Sequence, residues 1–444
     1  MSYTSYGNGH GHAGVHRDSL QRSGEQTVAP ATNKGQYQRR HDRVPRRFAA
    51  PLLLASCGKG RVNHCKVSER LHSGVHQVSG STIVAVGDIS FGDHYVCASF
   101  GVDSLLRSEP DRDIFGQVKH VLRRGDVVFG NLETVLSETG LQRNQLHSMH
   151  MRGRRQYADY LVDAGFNVLN IANNHILQHG TEAFRETVEL LRSRGITVVG
   201  MADANGLNCT PAMLDVGGTE YVFLGYAFEK DKYFAGTTLY AQASEKHILD
   251  DIRRHKRQDN VLICSFHWGN EFIHYPSLAQ ITMARSAIDA GCDLVLGHHP
   301  HVLNGFEKYS DKYIFYSLGN FVFDQLWNEA CTESMVVELT LKNKHFELVH
   351  ISPLKIGADY RPAVVAEDHF ELKLNQLCSS IERTIEDNGR GYLADFRRLD
   401  RRNRHRSWLY LLRHLHRYDR RILGQILGGT VRRKLHAVRT TFSN

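Results

Sequence analysis

Between Thr82 and Ile351 the chain alternates short apolar runs with longer stretches whose apolar residues return every three or four positions. Thr82-Ile83-Val84-Ala85-Val86, Val127-Val128-Phe129-Gly130, Val168-Leu169-Asn170-Ile171, Thr197-Val198-Val199, Val261–Phe266 and Asp293-Leu294-Val295-Leu296 read as buried strands. The patterns between them predict helices over Arg112–Arg124, Gln156–Ala164, Glu182–Arg194, Ala241–Lys256 and Leu278–Ala290, with Gly195 stopping the third. Ala212–Val216 and Tyr221–Gly225 around Gly217-Gly218 predict a hairpin. Tyr313–Ser317, Glu333–Leu341 and His345–Ile351 add strands, the last two joined by a turn at Lys342-Asn343-Lys344. Alternating βα units followed by antiparallel strands indicate an α/β fold, a sandwich of two sheets with helices outside.

The pattern changes at both ends. Residues 1–80 are rich in Gly, Ser, His, Gln and Arg without a sustained period, and are expected to form a disordered polar segment. Residues 357–444 carry two helical stripes: Phe370, Leu374, Leu377, Cys378, Ile381 and Ile385, then Trp408, Leu411, Leu412, Leu415, Ile422 and Ile426. Arg406, Arg413, Arg417, Arg420 and Arg421 surround the second stripe. It predicts a basic helical extension that lies on an anionic membrane surface or packs on its own domain. Residues 81–356 are left as the central domain.

Composition adds limits rather than a new picture. A chain of 444 residues, 41% hydrophobic and 23% charged, can bury a large core. Its net charge of +8 permits contact with anionic surfaces; no nucleic-acid partner is expected, because the basic residues gather at the termini without a reader motif. The 8 cysteines form no CxxC pair, and several sit in apolar runs, as reduced core residues do. No apolar run reaches the ~18 residues of a membrane-spanning helix. Leu54-Ala55-Ser56-Cys57 has the form of a lipobox, but Pro51 interrupts a short apolar core, and a cytoplasmic location is the expectation.

Candidate chemistry gathers where the strands end. Asp88, Asn131-Leu132-Glu133, Asn173-Asn174-His175, His267-Trp268-Gly269-Asn270-Glu271, the loop His298-His299-Pro300-His301, and Ser317-Leu318-Gly319-Asn320 each follow an apolar strand. Open α/β folds place their sites at those ends. A lone Asp there is often a helix cap and an Asn pair often a turn. Repetition after strand upon strand instead supplies carboxylate, amide and imidazole ligands for one or two divalent ions.

The runs GDISFG (Gly87–Gly92), NLE (Asn131–Glu133), NIANNH (Asn170–His175), HWGNE (His267–Glu271), GHHPHVLNGFE (Gly297–Glu307) and YSLGNFVFDQ (Tyr316–Gln325) resemble the CapA family. These are poly-gamma-glutamate capsule biosynthesis proteins with a calcineurin-like metallophosphatase fold. The resemblance spans roughly residues 82–355 and implies a four-layer αββα sandwich with a metal centre holding manganese, iron or zinc. It implies that Asp88 and His301 bind a first ion, that Glu133 bridges, and that Asn174, His267 and His299 bind a second. His175 takes the place of the His that protonates the leaving oxygen or steadies the phosphate, while His298 is more peripheral. The chain differs from most metallophosphatases in reading Asp88-Ile89-Ser90 where Asp-x-His is usual, so that Ser90 or His94 would have to supply the missing ligand. The resemblance accommodates two roles: a metal-dependent phosphoester hydrolase, or a non-catalytic metal-binding scaffold of polymer synthesis or export. Its partners would be capsule or envelope polymer biosynthesis components.

Overall fold

In the computed structural model, residues 80–229, 232, 239–366 and 369–428 are described. The expected disordered segment, except Gly80, and the lipobox-like run lie outside those residues. The strands of the first half are β1 (Thr82–Ile89), β2 (Val127–Leu132), β3 (Val135–Leu136), β4 (Arg152–Gly153), β5 (Val168–Asn170), β6 (Thr197–Val199), β7 (Ala212–Val216) and β8 (Thr219–Ala227). Those of the second half are β9 (Val261–His267), β10 (Leu294–His298), β11 (Phe306–Tyr309), β12 (Lys312–Phe315), β13 (Asn320–Val322), β14 (Glu333–Lys342), β15 (His345–Ile356) and β16 (Pro362–Val364). The helices are α1 (Val102–Ser108), α2 (Lys119–Leu122), α3 (Leu146–Met149), α4 (Tyr157–Ala164), α5 (Gly180–Ser193), α6 (Glu245–His255), α7 (Leu278–Asp289), α8 (Phe370–Glu386) and α9 (Tyr392–Arg413).

Two sheets face one another, one ordered β16-β15-β14-β1-β2-β5-β6 with β13 beside β1, the other β11-β12-β10-β9-β8-β7. Alternate residues of β1 explain the layering. Ile83 and Ala85 point inward to a core shared with Phe223, Ile263 and Leu296 of the second sheet. Val84 and Val86 point outward, where Leu106, Leu161 and Leu191 of α1, α4 and α5 cover them. On the far side Leu224, Leu262 and Val295 meet Ile252 of α6 and Ala284 of α7. The result is a four-layer αββα sandwich. The runs apolar on both faces are the central parallel strands, as burial on both sides requires.

Local chemistry fixes the boundaries. Ser277 caps α7 by accepting from the Gln280 backbone N–H, and the Gln280 side chain accepts in return from the Ser277 N–H. Gly217 and Gly218 turn β7 into β8 with φ of 59° and 81°, the pair of positive values that a tight hairpin needs. Two expected helices are shorter. Over Arg112–Arg124 only α2 is helical, because the Asp113 carboxylate accepts from the Phe115 N–H and holds the preceding segment in turns. The segment expected to begin a helix at Ala241 first runs extended: the Ala241 N–H donates to Gly200 O and the Ala243 N–H to Ala227 O, which delays α6 to Glu245.

The C-terminal stripes also resolve. Leu374 and Leu377 of α8 join the inter-sheet core, and Ile381 joins the outer one. Leu411 of α9, with Ile422 and Ile426 beyond it, packs against Val96, Phe100 and Trp327, whereas Trp408 and Leu412 stay exposed. The stripe is therefore used in part for packing on its own domain. Among the described residues Cys97, Cys209, Cys264, Cys292, Cys331 and Cys378 are free thiols, and no helix is long and apolar enough to cross a membrane.

Candidate metal centre

Parallel pairing brings the strand ends together. Asp88 is in register with Asn131 and with Asn320, Asn131 with Asn170, and His267 with His298. An amide chain follows this register: Asn170 donates to Asn131 Oδ1 at 2.8 Å, and Asn131 donates to Asp88 Oδ1 at 2.8 Å. Asp88 Oδ2 accepts the His299 backbone N–H at 3.1 Å. These bonds hold the Asp88 carboxylate in a single orientation at the bottom of the site.

Glu133, directly after β2, is the centre of the arrangement. It is fully buried, and neither carboxylate oxygen has a hydrogen-bond partner. Around Oε1 stand Nε2 of His267 at 3.7 Å, of His301 at 3.7 Å and of His175 at 3.8 Å. These separations are too long for hydrogen bonds. Ligands ~2.1 Å from one ion at tetrahedral angles lie about 3.4 Å apart, so the spacing fits atoms arranged around a shared cation. Two buried sets converge within 4.8 Å: Glu133, His299 and His301, and Asp88, Glu133 and His267. Glu133 belongs to both, the place a bridging carboxylate takes. The sets group His301 with His299, and His267 with Asp88, while His301 Nδ1 also lies 3.6 Å from Asp88 Oδ2, the pair that the family resemblance implies for the first ion.

The charges favour an ion as well. Burial first, then Asp88, Glu271 and Glu229, push the Glu133 carboxyl well above the usual range. Burial holds His267 and His301 below the normal imidazole value, which keeps them in the neutral form that binds metal. Burial also pulls His299 down, but Glu229, Glu271 and Asp88 outweigh it and its net shift is upward. Its Nε2 lies 3.5 Å from Glu229 Oε1, at the outer limit of a hydrogen bond, and its Nδ1 has no hydrogen-bond partner. His299 and His301 have φ of 97° and 58°, unusual for residues with a side chain and costing on the order of 1–3 kcal/mol each. Orphaned oxygens, unpartnered imidazole nitrogens and strained backbone all fall on one set of residues that fits a divalent cation.

Supporting residues orient the set. Asn174 Oδ1 lies 2.9 Å from His267 Nε2. Asn320 Oδ1 lies 2.9 Å from His301 Nδ1, which aims Nε2 at Glu133. Asn320→Ala is expected to weaken metal affinity roughly 10–100-fold, read by competition with a chelating dye, while the fold persists. His175 Nδ1 lies 2.8 Å from Gln178 Oε1, and Gln178 Nε2 donates to the His150 carbonyl at 3.1 Å. That carbonyl fixes the amide, so His175 carries its proton on Nδ1 and presents Nε2 as an acceptor. Burial lowers its pKa to about 4. Burial thus favours its neutral imidazole, which can steady a bound phosphate or exchange a proton at Nε2.

His298 stands apart from the set: its Nε2 is 3.2 Å from Val86 O, between the sheets. Of the two residues expected to replace the missing histidine ligand, His94 joins neither set, and the Ser90 hydroxyl is engaged by Met151. Ser90 Oγ donates to Met151 Sδ at 3.6 Å, and His94 Nδ1 accepts from the Val96 N–H at 3.2 Å. Glu229 is a site residue that sequence reasoning missed. It follows β8 as Glu133 follows β2, so the rule that found the others applied to it too.

Residues 82–325, more than half of the chain, match the model of a family described as the bacterial capsule synthesis protein PGA_cap. The chain belongs to the PGA_cap family. All the residues placed around Glu133 lie inside the matched segment. The PGA biosynthesis protein CapA of Bacillus subtilis (strain 168) is 30% identical over 295 residues, covering 65% of this chain and 74% of that protein. The capsule biosynthesis protein CapA of Bacillus anthracis is 29% identical over 289 residues, covering 62% and 67%. Among solved structures, the 5'-nucleotidase from Candida albicans SC5314 aligns with a TM-score of 0.37 and 11% identity, over 76% of this chain and 59% of that one. Helices α8 and α9 lie beyond the matched family segment.

Proposed function

We propose that this PGA_cap protein is a metal-dependent hydrolase acting on a phosphoester or related intermediate of capsule or envelope polymer biosynthesis. The observation that carries the reading is the Glu133 carboxylate, buried and unpartnered, with three imidazole Nε2 atoms 3.7–3.8 Å from one of its oxygens. Asp88, Glu133, His267, His299 and His301 hold one or two ions, with Asn174 as a further oxygen ligand. A bound divalent ion supplies Lewis-acid polarisation of a phosphoryl oxygen and a more acidic water. His175 accepts a proton at Nε2, and Gln178 keeps its other nitrogen protonated. Asn131 and Asn320 keep Asp88 and His301 from turning away.

The test is hydrolysis of an aryl phosphate by protein loaded in turn with manganese, iron or zinc. His175→Ala should lose about 10²–10⁴-fold in rate with its metal content unchanged. Equal rates in variant and wild type would remove the catalytic reading. Ser90 favours a second reading, since it stands where a histidine ligand is usual and its buried hydroxyl donates to Met151 Sδ. In that case the centre is a structural element of a scaffold for other polymer-assembly components, and His299→Ala should leave polymer production intact in a cell that depends on this protein.

A further inference from the structure

Outside the metal centre, a row of rings runs from His175 to the surface. Between ring centres, His150 lies 6.2 Å from His175, and His94 and Tyr95 lie 5.2 and 5.8 Å from His150. His94 is 4.2 Å from Tyr95 and 4.8 Å from Trp327. The inner end borders the metal centre, since His175 Nε2 is 3.8 Å from Glu133 Oε1. At the outer end Tyr95 is 37% exposed; His94, His150 and His175 are half-buried, and Trp327 is buried. Segments distant in sequence build this row. Asp93 pairs with His150 in a short bridge, and the Met151 N–H donates to Asp93 O at 2.9 Å, which sets His94 and Tyr95 beside His150. The His94 N–H donates to Asp324 Oδ2 at 2.8 Å, joining that turn to the stretch that carries Trp327. Gln178 fixes two of the rings at once, with Oε1 2.8 Å from His175 Nδ1 and Nε2 3.0 Å from His150 Nδ1.

Two features decide what the row can hold. Burial first, then neighbouring imidazoles, hold His94 and His150 well below the normal imidazole value, so these rings are uncharged at neutral pH. They add no second anion site to the metal centre. The ring planes are also tilted, by 40° between His94 and Tyr95, 74° between His94 and His150, and 68° between Tyr95 and His150. These three rings provide no parallel pair of faces to sandwich a flat base or aryl group. They offer apolar faces at several angles, with polar edges at the Tyr95 hydroxyl and at the Nε2–H that His94 keeps while its Nδ1 accepts from the Val96 N–H. A hexopyranose has the matching form, with C–H groups on its faces and hydroxyls around its rim.

We propose that His94, Tyr95 and His150 form a subsite for a hexopyranose carried by a phosphoester bound at the metal centre. The proposal deepens the proposed function by naming the substrate class, a sugar phosphate, and it rests on that reading for a phosphoryl group held beside Glu133. Because the row starts at His175, the part of a substrate that lies beyond the phosphorus has the rings within reach. Small-molecule sites combine apolar walls with a few orienting polar groups in this way. Binding of the sugar is separate from hydrolysis.

The experiment is titration calorimetry of the full chain, metal-loaded, with non-hydrolysable phosphonates: methylphosphonate, phenylphosphonate and a pyranosyl methylphosphonate. Wild type is expected to bind the pyranosyl probe about tenfold more tightly than methylphosphonate, and more tightly than the phenyl probe. Tyr95→Ala should bring the pyranosyl affinity down towards that of methylphosphonate, with its metal-dependent rise in melting temperature retained as the sign of an intact centre. Tyr95→Phe, which keeps the ring, should retain most of the preference. Aryl phosphate hydrolysis by wild type is followed separately. A sugar preference without hydrolysis would support the subsite and remove the catalytic reading, whereas hydrolysis without a sugar preference would overturn the subsite alone. A phenyl probe bound as tightly as the pyranosyl one, or a preference undiminished in Tyr95→Ala, would also overturn it, and binding of none of the three probes would overturn both.

Discussion

Glu133→Gln is expected to abolish the stabilisation that a divalent metal confers while leaving the metal-free protein about as stable as before. With metal at ~100 times its dissociation constant, wild type gains about 2.7 kcal/mol, which appears as an upward shift of the melting temperature. The variant should show no such shift. Metal-free Glu133 is already disfavoured as an anion by burial and by Asp88, Glu271 and Glu229, so an isosteric neutral amide introduces no new buried charge. What disappears is the anion shared by both ligand sets. Thermal melts with chelator and with metal check this. If the variant retains the metal-dependent shift, the ion lies elsewhere.

Gly297→Ala is expected to cost about 3 kcal/mol or more and to remove metal binding together with stability. Gly297 precedes the histidine loop in β10, and a Cβ there would lie 2.2 Å from Tyr316 O and 2.7 Å from Phe315 O. Both are backbone atoms at the end of β12, the parallel neighbour of β10, which cannot swing aside. Relief requires separating β10 from that segment, which breaks the Leu318 N–H bond to Gly297 O and displaces the stem of His299 and His301. Gly424→Ala is the comparison: nothing lies within 4 Å of its Cβ, and the change should be neutral or slightly stabilising. The shift of the urea midpoint measures both.

Much of this was legible in the residues. Strands buried on both faces must be apolar throughout, so they stood out as short runs, and a polar residue closing such a run had few structural reasons to be there. Asp88, the runs Asn131–Glu133, Asn173–His175 and His267–Glu271, and the His298–His301 loop stand out that way and converge in space, whereas the choice of ligands within them is what the family resemblance implies. Other features depend on information that a run of letters lacks. Nothing in His299 or His301 announces a positive φ, since that conformation is imposed by the packing around them. The proton positions of His175 follow from the His150 carbonyl, distant in sequence and fixed only by the fold. Arg112–Arg124 has helical spacing, yet the Asp113 side chain offers the backbone a competing bond. The second C-terminal stripe has helical spacing, but only the folded domain decides that Leu411 is covered and Leu412 is not.

The central claim is that Glu133 and the surrounding histidines hold a metal ion. Anomalous diffraction from crystals grown with manganese, iron or zinc in turn tests it most directly. The account predicts a peak about 2.0–2.3 Å from a Glu133 carboxylate oxygen and from Nε2 of His301 or His267. Peaks only at other places, with Glu133 still unligated in protein saturated with each metal, would contradict it.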